Sequence, residues 1–186
     1  MTMPRVIENA TTDQPARNAS DQGGPITPRT EWPEALRQAT LEVFSTMVGA
    51  TPDASSAVSP VPVASESEDP SVTSYVTGMI GIAGALRAVF SMRCSDQTAT
   101  MIASQMLGIS VEESAAQKFD AIGEICNMIA GHFKHKVGHG FSCTLTVPSV
   151  VAGGNYSIHC LEKGERIEFS IRYGGEAVLI KLDIRG

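Results

Sequence analysis

Phe119-Asp120-Ala121-Ile122-Gly123-Glu124-Ile125-Cys126-Asn127-Met128-Ile129-Ala130-Gly131 decides the fold of this chain, because it reads as a core helix carrying a polar stripe that the core does not require. At about 100° per residue, Phe119, Ile122, Cys126, Ile129, Phe133 and Val137 share one side, and Asp120, Glu124, Asn127 and Gly131, spaced by four, three and four, share the opposite one. The pattern predicts a helix over 114–137 with an apolar back and a chemically defined front. Glu112 and Glu113 lead into it, and Gly138 and Gly140 end it.

Working outward, four strand-like runs follow the helix, over 141–151, 156–161, 167–173 and 177–184. Their separators are Gly153-Gly154-Asn155, Lys163-Gly164-Glu165 and Gly174-Gly175, which carry turn chemistry. Ahead of the helix, Ser95 is placed to cap a shorter one through Met101, Ile102, Met106 and Leu107, with Gly108 as its stop. Two β-prone runs, 72–82 and 85–92, broken at Ala83-Gly84, read as an antiparallel hairpin. Gly78, Gly81 and Gly84 lack phosphate-loop spacing, so bulges or close backbone approach explain them better than a nucleotide cradle. A first helix starts at Glu31, with Pro33 in its first turn, an apolar face of Ala35, Leu36, Ala39, Val43, Phe44 and Met47, and Gly49 as its stop. The expected fold is α+β: a six-stranded, mostly antiparallel sheet with three helices, the long one packed on one face.

Composition bounds the rest. Apolar residues are 42% of the chain and charged residues 18%, enough for one core, and most of the apolar residues lie after residue 71. Residues 1–30, rich in Thr, Asn, Asp, Gly, Pro and Ser, read as a disordered tail, and 31–186 as a single domain. Within it, 50–70 mix Pro, Ser and acidic residues as a flexible insertion does. A net charge of −6 with no Lys/Arg cluster argues against a nucleic-acid footprint. The start of the chain resembles neither a secretory signal nor an anchor, and the apolar run 76–89 is too short for a bilayer and contains Arg87, so no membrane partner is expected. Cys94, Cys126, Cys143 and Cys160 form no CxxC pair and sit in apolar patterns, as buried reduced thiols do, which fits a cytoplasmic location.

Two kinds of chemistry are disfavoured. His132, His135 and His139 lie near Cys126 and Cys143, but the helix stops at Gly138 before a closed zinc shell forms, so no metal site is expected. No GxSxG elbow accompanies the Ser and His residues, and no nucleophile is assigned.

The stripe itself follows the pattern D-x3-E-x2-N, continued by Gly131 and Lys134. The run from Asp120 to Lys134 resembles the signature helix of the CheC/CheX/FliY chemotaxis phosphatases, most closely the CheX type. The flanks agree: Val43-Phe44 and Met47 in a leading helix, a hairpin, Met106-Leu107-Gly108, and Pro148-Ser149-Val150-Val151 opening the later sheet. The resemblance covers roughly 32–186, one domain's worth of chain. It implies a phosphatase for the aspartyl phosphate of a CheY-like response regulator, in which Asn127 positions the attacking water and Glu124 pairs with the regulator's lysine. Mg2+ is then supplied by the phosphorylated regulator, and this chain binds no cofactor of its own. Asp120, Gly123, Met128, Gly131 and Lys134 are the expected partner-binding residues. Asp120 serves equally as a favourable acid in the first half of a helix, and Lys134 as a surface lysine near its end. Only one full copy of the motif is present: Ser95 is followed by Ala99 and Ile102 where Glu and Asn are needed. That favours the CheX type over CheC and with it a homodimer. The alternative function is a response-regulator or flagellar-switch binding module without hydrolysis.

The residue types suit the implied chemistry on physical grounds. An acyl phosphate is already reactive, so its hydrolysis needs mainly a water held in line. A carboxamide orients water through both acceptor and donor groups without changing charge. A carboxylate one turn away adds register to docking more than affinity.

Overall fold

The computed structural model describes residues 27–49, 74–138, 142–154, 156, 158 and 164–185. Six strands, β1 (Tyr75–Gly84), β2 (Ala88–Ser95), β3 (Cys143–Leu145), β4 (Ser149–Gly153), β5 (Gly164–Tyr173) and β6 (Glu176–Arg185), form one sheet in the order β3-β1-β2-β6-β5, with β4 also paired to β1. Every recorded pairing is antiparallel. Four helices, α1 (Trp32–Val43), α2 (Asp96–Leu107), α3 (Val111–Ser114) and α4 (Lys118–Lys136), complete the described fold.

Register explains the core. Ile80 pairs with Phe90, Phe90 with Leu182 and Leu182 with Ile167, and the next row runs Gly78, Met92, Ile180, Phe169. With a side-chain period of two, these rows put one apolar set on one face, and apart from Gly78 all of these side chains are buried. Each fully buried Ile, Leu or Phe contributes about 1.5–3 kcal/mol. The opposite face is polar. Arg166 pairs with Asp183 at 2.6 Å and Lys181 with Glu168 at 3.8 Å, while Arg93 lies between the rings of Tyr75 and Tyr156, 4.1 and 5.0 Å from their centroids. Among the described residues, helices therefore cover one side only.

Several boundaries differ from the sequence expectation. The long helix begins at Lys118 rather than Ser114: Ser110 and Glu113 form a capping box that opens a separate short helix, α3, which ends at Ser114. Ser114 turns inward to donate to the carbonyls of Thr100 and Val111. The run 141–151 is two strands, not one, since Pro148 cannot donate to the ladder. The hairpin turn lies at 85–87 rather than Ala83-Gly84, and Gly84 ends β1 at φ +124°. The first helix runs from Trp32 and closes in a π-helical turn, Phe44–Val48, before Gly49 at φ +65°. Tyr156 and Ile158 are not in a strand, and the remainder of the run expected over 156–161 lies outside the described residues. The insertion at 50–70 and the tail up to residue 26 also lie outside them. Thr27, read as part of that tail, donates through its hydroxyl to the Lys136 carbonyl at 2.9 Å and accepts from the Trp32 indole at 3.0 Å. It thereby satisfies a carbonyl left open at the end of α4.

Candidate functional site

The site is the outward stripe of α4, and its position is set by what lies beneath. Ile122, Ile125, Cys126, Ile129 and Phe133 are fully buried. At Gly78 of β1 the helix comes so close that an added Cβ would stand 2.5 Å from Cys126 Sγ and 2.9 Å from Ile122 Cγ2. The close approach expected for this glycine is what its missing side chain permits. Trp32 of α1 meets Phe133 edge-on at 5.8 Å, and Lys118 at the head of α4 binds Asp96 at the head of α2 at 2.7 Å. At the other end, Lys136 of α4 reaches Glu42 of α1 at 2.7 Å, which holds the Glu42 carboxyl below its ordinary range. His132 faces the same carboxylate at 3.5 Å. A helix braced on three sides gives its front little freedom.

On that front Asp120 and Glu124 are exposed and Asn127 is half-buried. Among the described residues, none of the three has a hydrogen-bond or ion-pair partner. Gly131 continues the stripe, with only Leu145 Cδ1, 3.9 Å away, facing the position of a Cβ. A carboxylate and a carboxamide three positions apart thus point the same way from a fixed helix, available to an incoming surface.

Other expected members behave differently. Gly123 is buried, and a Cβ there would meet Pro148 at 3.3 Å and Val150 at 3.7 Å, so this glycine admits the chain's own edge strand rather than a partner. Lys134 donates from Nζ to the Cys143 carbonyl at 2.9 Å and ties the helix to β3. Met128 is half-buried and packs on the core. Phe119, placed on the apolar side by helical periodicity, is 42% exposed, with Lys118 Nζ 5.3 Å from its ring. It sits in the first turn of α4, where the sheet does not reach. The pairing of Pro148 with Gly123 was not legible in sequence, because Pro148 read only as the opening of a strand.

The described thiols are structural. Cys94, Cys126 and Cys143 are buried and free, and Cys160 lies outside the described residues. Burial pushes the Cys94 thiol up to about 12 and the Cys126 thiol higher still. Among the described residues no group of three or more His, Cys, Asp or Glu side chains is placed to hold a metal ion, and no helix is long and apolar enough to cross a membrane. His139 lies outside them.

Comparison with known proteins identifies the family and the fold. The family model described as chemotaxis phosphatase CheX matches residues 76–172, which contain the whole of α4. No curated protein matches the chain. Among solved structures, a CheC-like superfamily protein from Shewanella sp. PV-4 is 21% identical with a TM-score of 0.68, over 86% of this chain and 100% of that one. A chemotaxis protein CheX from Desulfovibrio desulfuricans is 23% identical with a TM-score of 0.64, over 83% and 99%. A CheX–CheY–BeF3–Mg2+ complex from Borrelia burgdorferi contains a chain 19% identical with a TM-score of 0.64, over 85% and 100%. At these identities the structural likeness establishes the fold.

Proposed function

The chain belongs to the chemotaxis phosphatase CheX family, and from that premise we propose that it hydrolyses the aspartyl phosphate of a CheY-like response regulator through Asn127 and Glu124. The observation that carries the proposal is the unpartnered Glu124–Asn127 pair on the front of a helix whose back is locked into the core. Half-burial restricts the rotamers of Asn127 while leaving its carboxamide accessible, which is what a group that orients a water needs. In this reading Asn127 accepts a hydrogen bond from the water. The water oxygen attacks phosphorus, the bond from phosphorus to the acyl oxygen breaks, the regulator's aspartate leaves as a carboxylate, and the water's proton goes with the phosphate. Glu124 pairs with the regulator's lysine and sets the register of the two surfaces. Asp120 adds negative charge one turn earlier, and Gly131 keeps the later turn low. The Mg2+ that neutralises the phosphoryl oxygens belongs to the regulator; the Borrelia complex carries Mg2+ together with CheY.

We propose also that the chain pairs with a second copy. Among the described residues the outer edge of β5 is unpaired, and such edges are commonly covered by self-association. Sedimentation showing a monomer throughout the micromolar range would remove this.

The test of the activity is phosphate loss from a phosphorylated regulator of the same genome with Asn127→Ala. Dephosphorylation should fall by at least ~10²-fold, as when a positioning group is lost, while regulator binding stays within about threefold, well under 1 kcal/mol. An unchanged rate would eliminate the catalytic role. A chain that binds the regulator and never accelerates phosphate loss is a binding module.

A further inference from the structure

The most exposed large apolar residue recorded is Val147, at 85%. It does not lie on a floppy tip. β3 and β4 are two halves of one edge strand running along β1, and their registers differ by one residue: Ile82 pairs with Leu145, but Met79 pairs with Ser149. The extra residue is taken up at 146–148, a β-bulge. Its ladder is completed in an unusual way. Thr146 N–H donates to the Gly81 carbonyl at 2.9 Å, and Gly81 N–H donates in return to the Thr146 hydroxyl, also at 2.9 Å, rather than to a backbone carbonyl. On the other side of Val147, Pro148 fills the hollow at Gly123 of α4, one residue from Glu124. Val147 is therefore clamped from both sides while its own side chain faces water. Bulges re-aim side chains and recur beside active sites.

An isolated exposed valine needs no explanation. This one is presented by a fixed bulge beside the stripe that carries Glu124 and Asn127, and Gly123, buried beneath Pro148, makes the two surfaces continuous. We infer that Val147 is a docking contact for the phosphorylated response regulator, the apolar side of a surface whose polar side is Asp120, Glu124 and Asn127. This rests on the function proposed above. The occupant follows from the chemistry of the patch: two free carboxylates complement a partner presenting a lysine, the neutral carboxamide tolerates a phosphoryl group beside it, and the valine covers an apolar spot next to them. A second copy of this chain, with the same carboxylates, would set like charge against like.

Val147→Asp and Val147→Ala test it, with Asn127→Ala alongside. Removing an exposed side chain leaves the fold intact, so both variants should melt with the parent. Expected are a KM for the phosphorylated regulator raised at least tenfold by Val147→Asp and several-fold by Val147→Ala, with kcat within twofold. Affinity for a beryllofluoride-activated regulator, measured by titration in the Asn127→Ala background, should fall by the same factor. If both variants keep the parental KM and affinity, the docking role is overturned, and an inactive Asn127→Ala still leaves the phosphatase reading standing. If Asn127→Ala keeps full activity, the assignment of Asn127 as the water-positioning residue fails on its own evidence, and the titration still decides whether Val147 touches the regulator. A loss of dimer in Val147→Asp with KM unchanged would assign the residue to self-association and overturn the inference.

Discussion

Replacing Gly78 by Ala tests whether the sheet positions the proposed active surface. The new methyl would lie 2.5 Å from Cys126 Sγ and 2.9 Å from Ile122 Cγ2, with the Ile122 carbonyl oxygen at 3.4 Å. Ordinary contact is about 3.5–4.0 Å, so α4 has to lift by roughly 1 Å or the strand has to sink. Cys126 and Ile122 are fully buried and have no open side to move into. Overpacking of this kind costs about 1–3 kcal/mol, which for a domain of this size lowers Tm by about 2–12 °C. The larger effect is on activity: a 1 Å displacement of a positioning group costs on the order of 10²-fold in rate, although residue 78 lies on the far side of the helix from Asn127. Cys126→Ala removes the nearer obstacle. By itself it costs stability through the cavity it leaves, but combined with Gly78→Ala it should restore part of the loss, with a coupling of at least ~0.5 kcal/mol. Thermal melts of the four proteins and their dephosphorylation rates give both readouts. A Gly78→Ala protein that melts and works like the parent, or a strictly additive double variant, would refute the reasoning.

Ser95 caps α2, accepting from the Thr98 amide at 3.0 Å, and its hydroxyl also donates to the Glu176 carboxylate, which Thr98 approaches at 2.6 Å. Ser95→Ala should cost about 0.5–2 kcal/mol. Ser95→Asp, elsewhere an equally good cap, should be worse than Ala because it sets a second carboxylate against Glu176; urea melts that rank Asp above Ala would sink the assignment. Cys94 and Cys126 should resist a thiol reagent in the native protein at pH 8, since burial pushes the Cys94 thiol up to about 12 and the Cys126 thiol higher, and both should label once guanidinium unfolds the chain. Their thiolates form only well above neutral pH, so raising the pH to 9 leaves native labelling slow. Rapid native labelling of either peptide, followed by mass spectrometry, would contradict the buried placement.

What the sequence made legible was whatever repeats with a period. The 3.6-residue recurrence of Ile122, Cys126, Ile129 and Phe133 identified α4 and its buried side, and alternation in β5 and β6 identified two strands that the structure contains. Caps at Ser95 and stops at Gly49 and Gly108 were readable because their chemistry is local. What escaped was set by contacts far apart in the chain. Gly123 and Pro148 meet across 25 positions, and nothing near either one announces the other. The break between β3 and β4 depends on the register of β1, and the exposure of Phe119 on where the sheet stops. Glu124 and Asn127 were legible as a spacing, while their freedom from internal partners became visible only with the surroundings in place.

The strand order carries one consequence for how such a protein can change over time. α4 packs against α1, α2 and the strands β1 to β4, whereas the hairpin β5–β6 joins the sheet beyond β2. One half of the sheet is a template whose geometry the front of α4 inherits, where even a methyl group is felt. The other half bears on that surface only indirectly, through the shared core, the Glu176 contact to the cap of α2 and the open edge of β5, so away from those points inheritance has more room to wander.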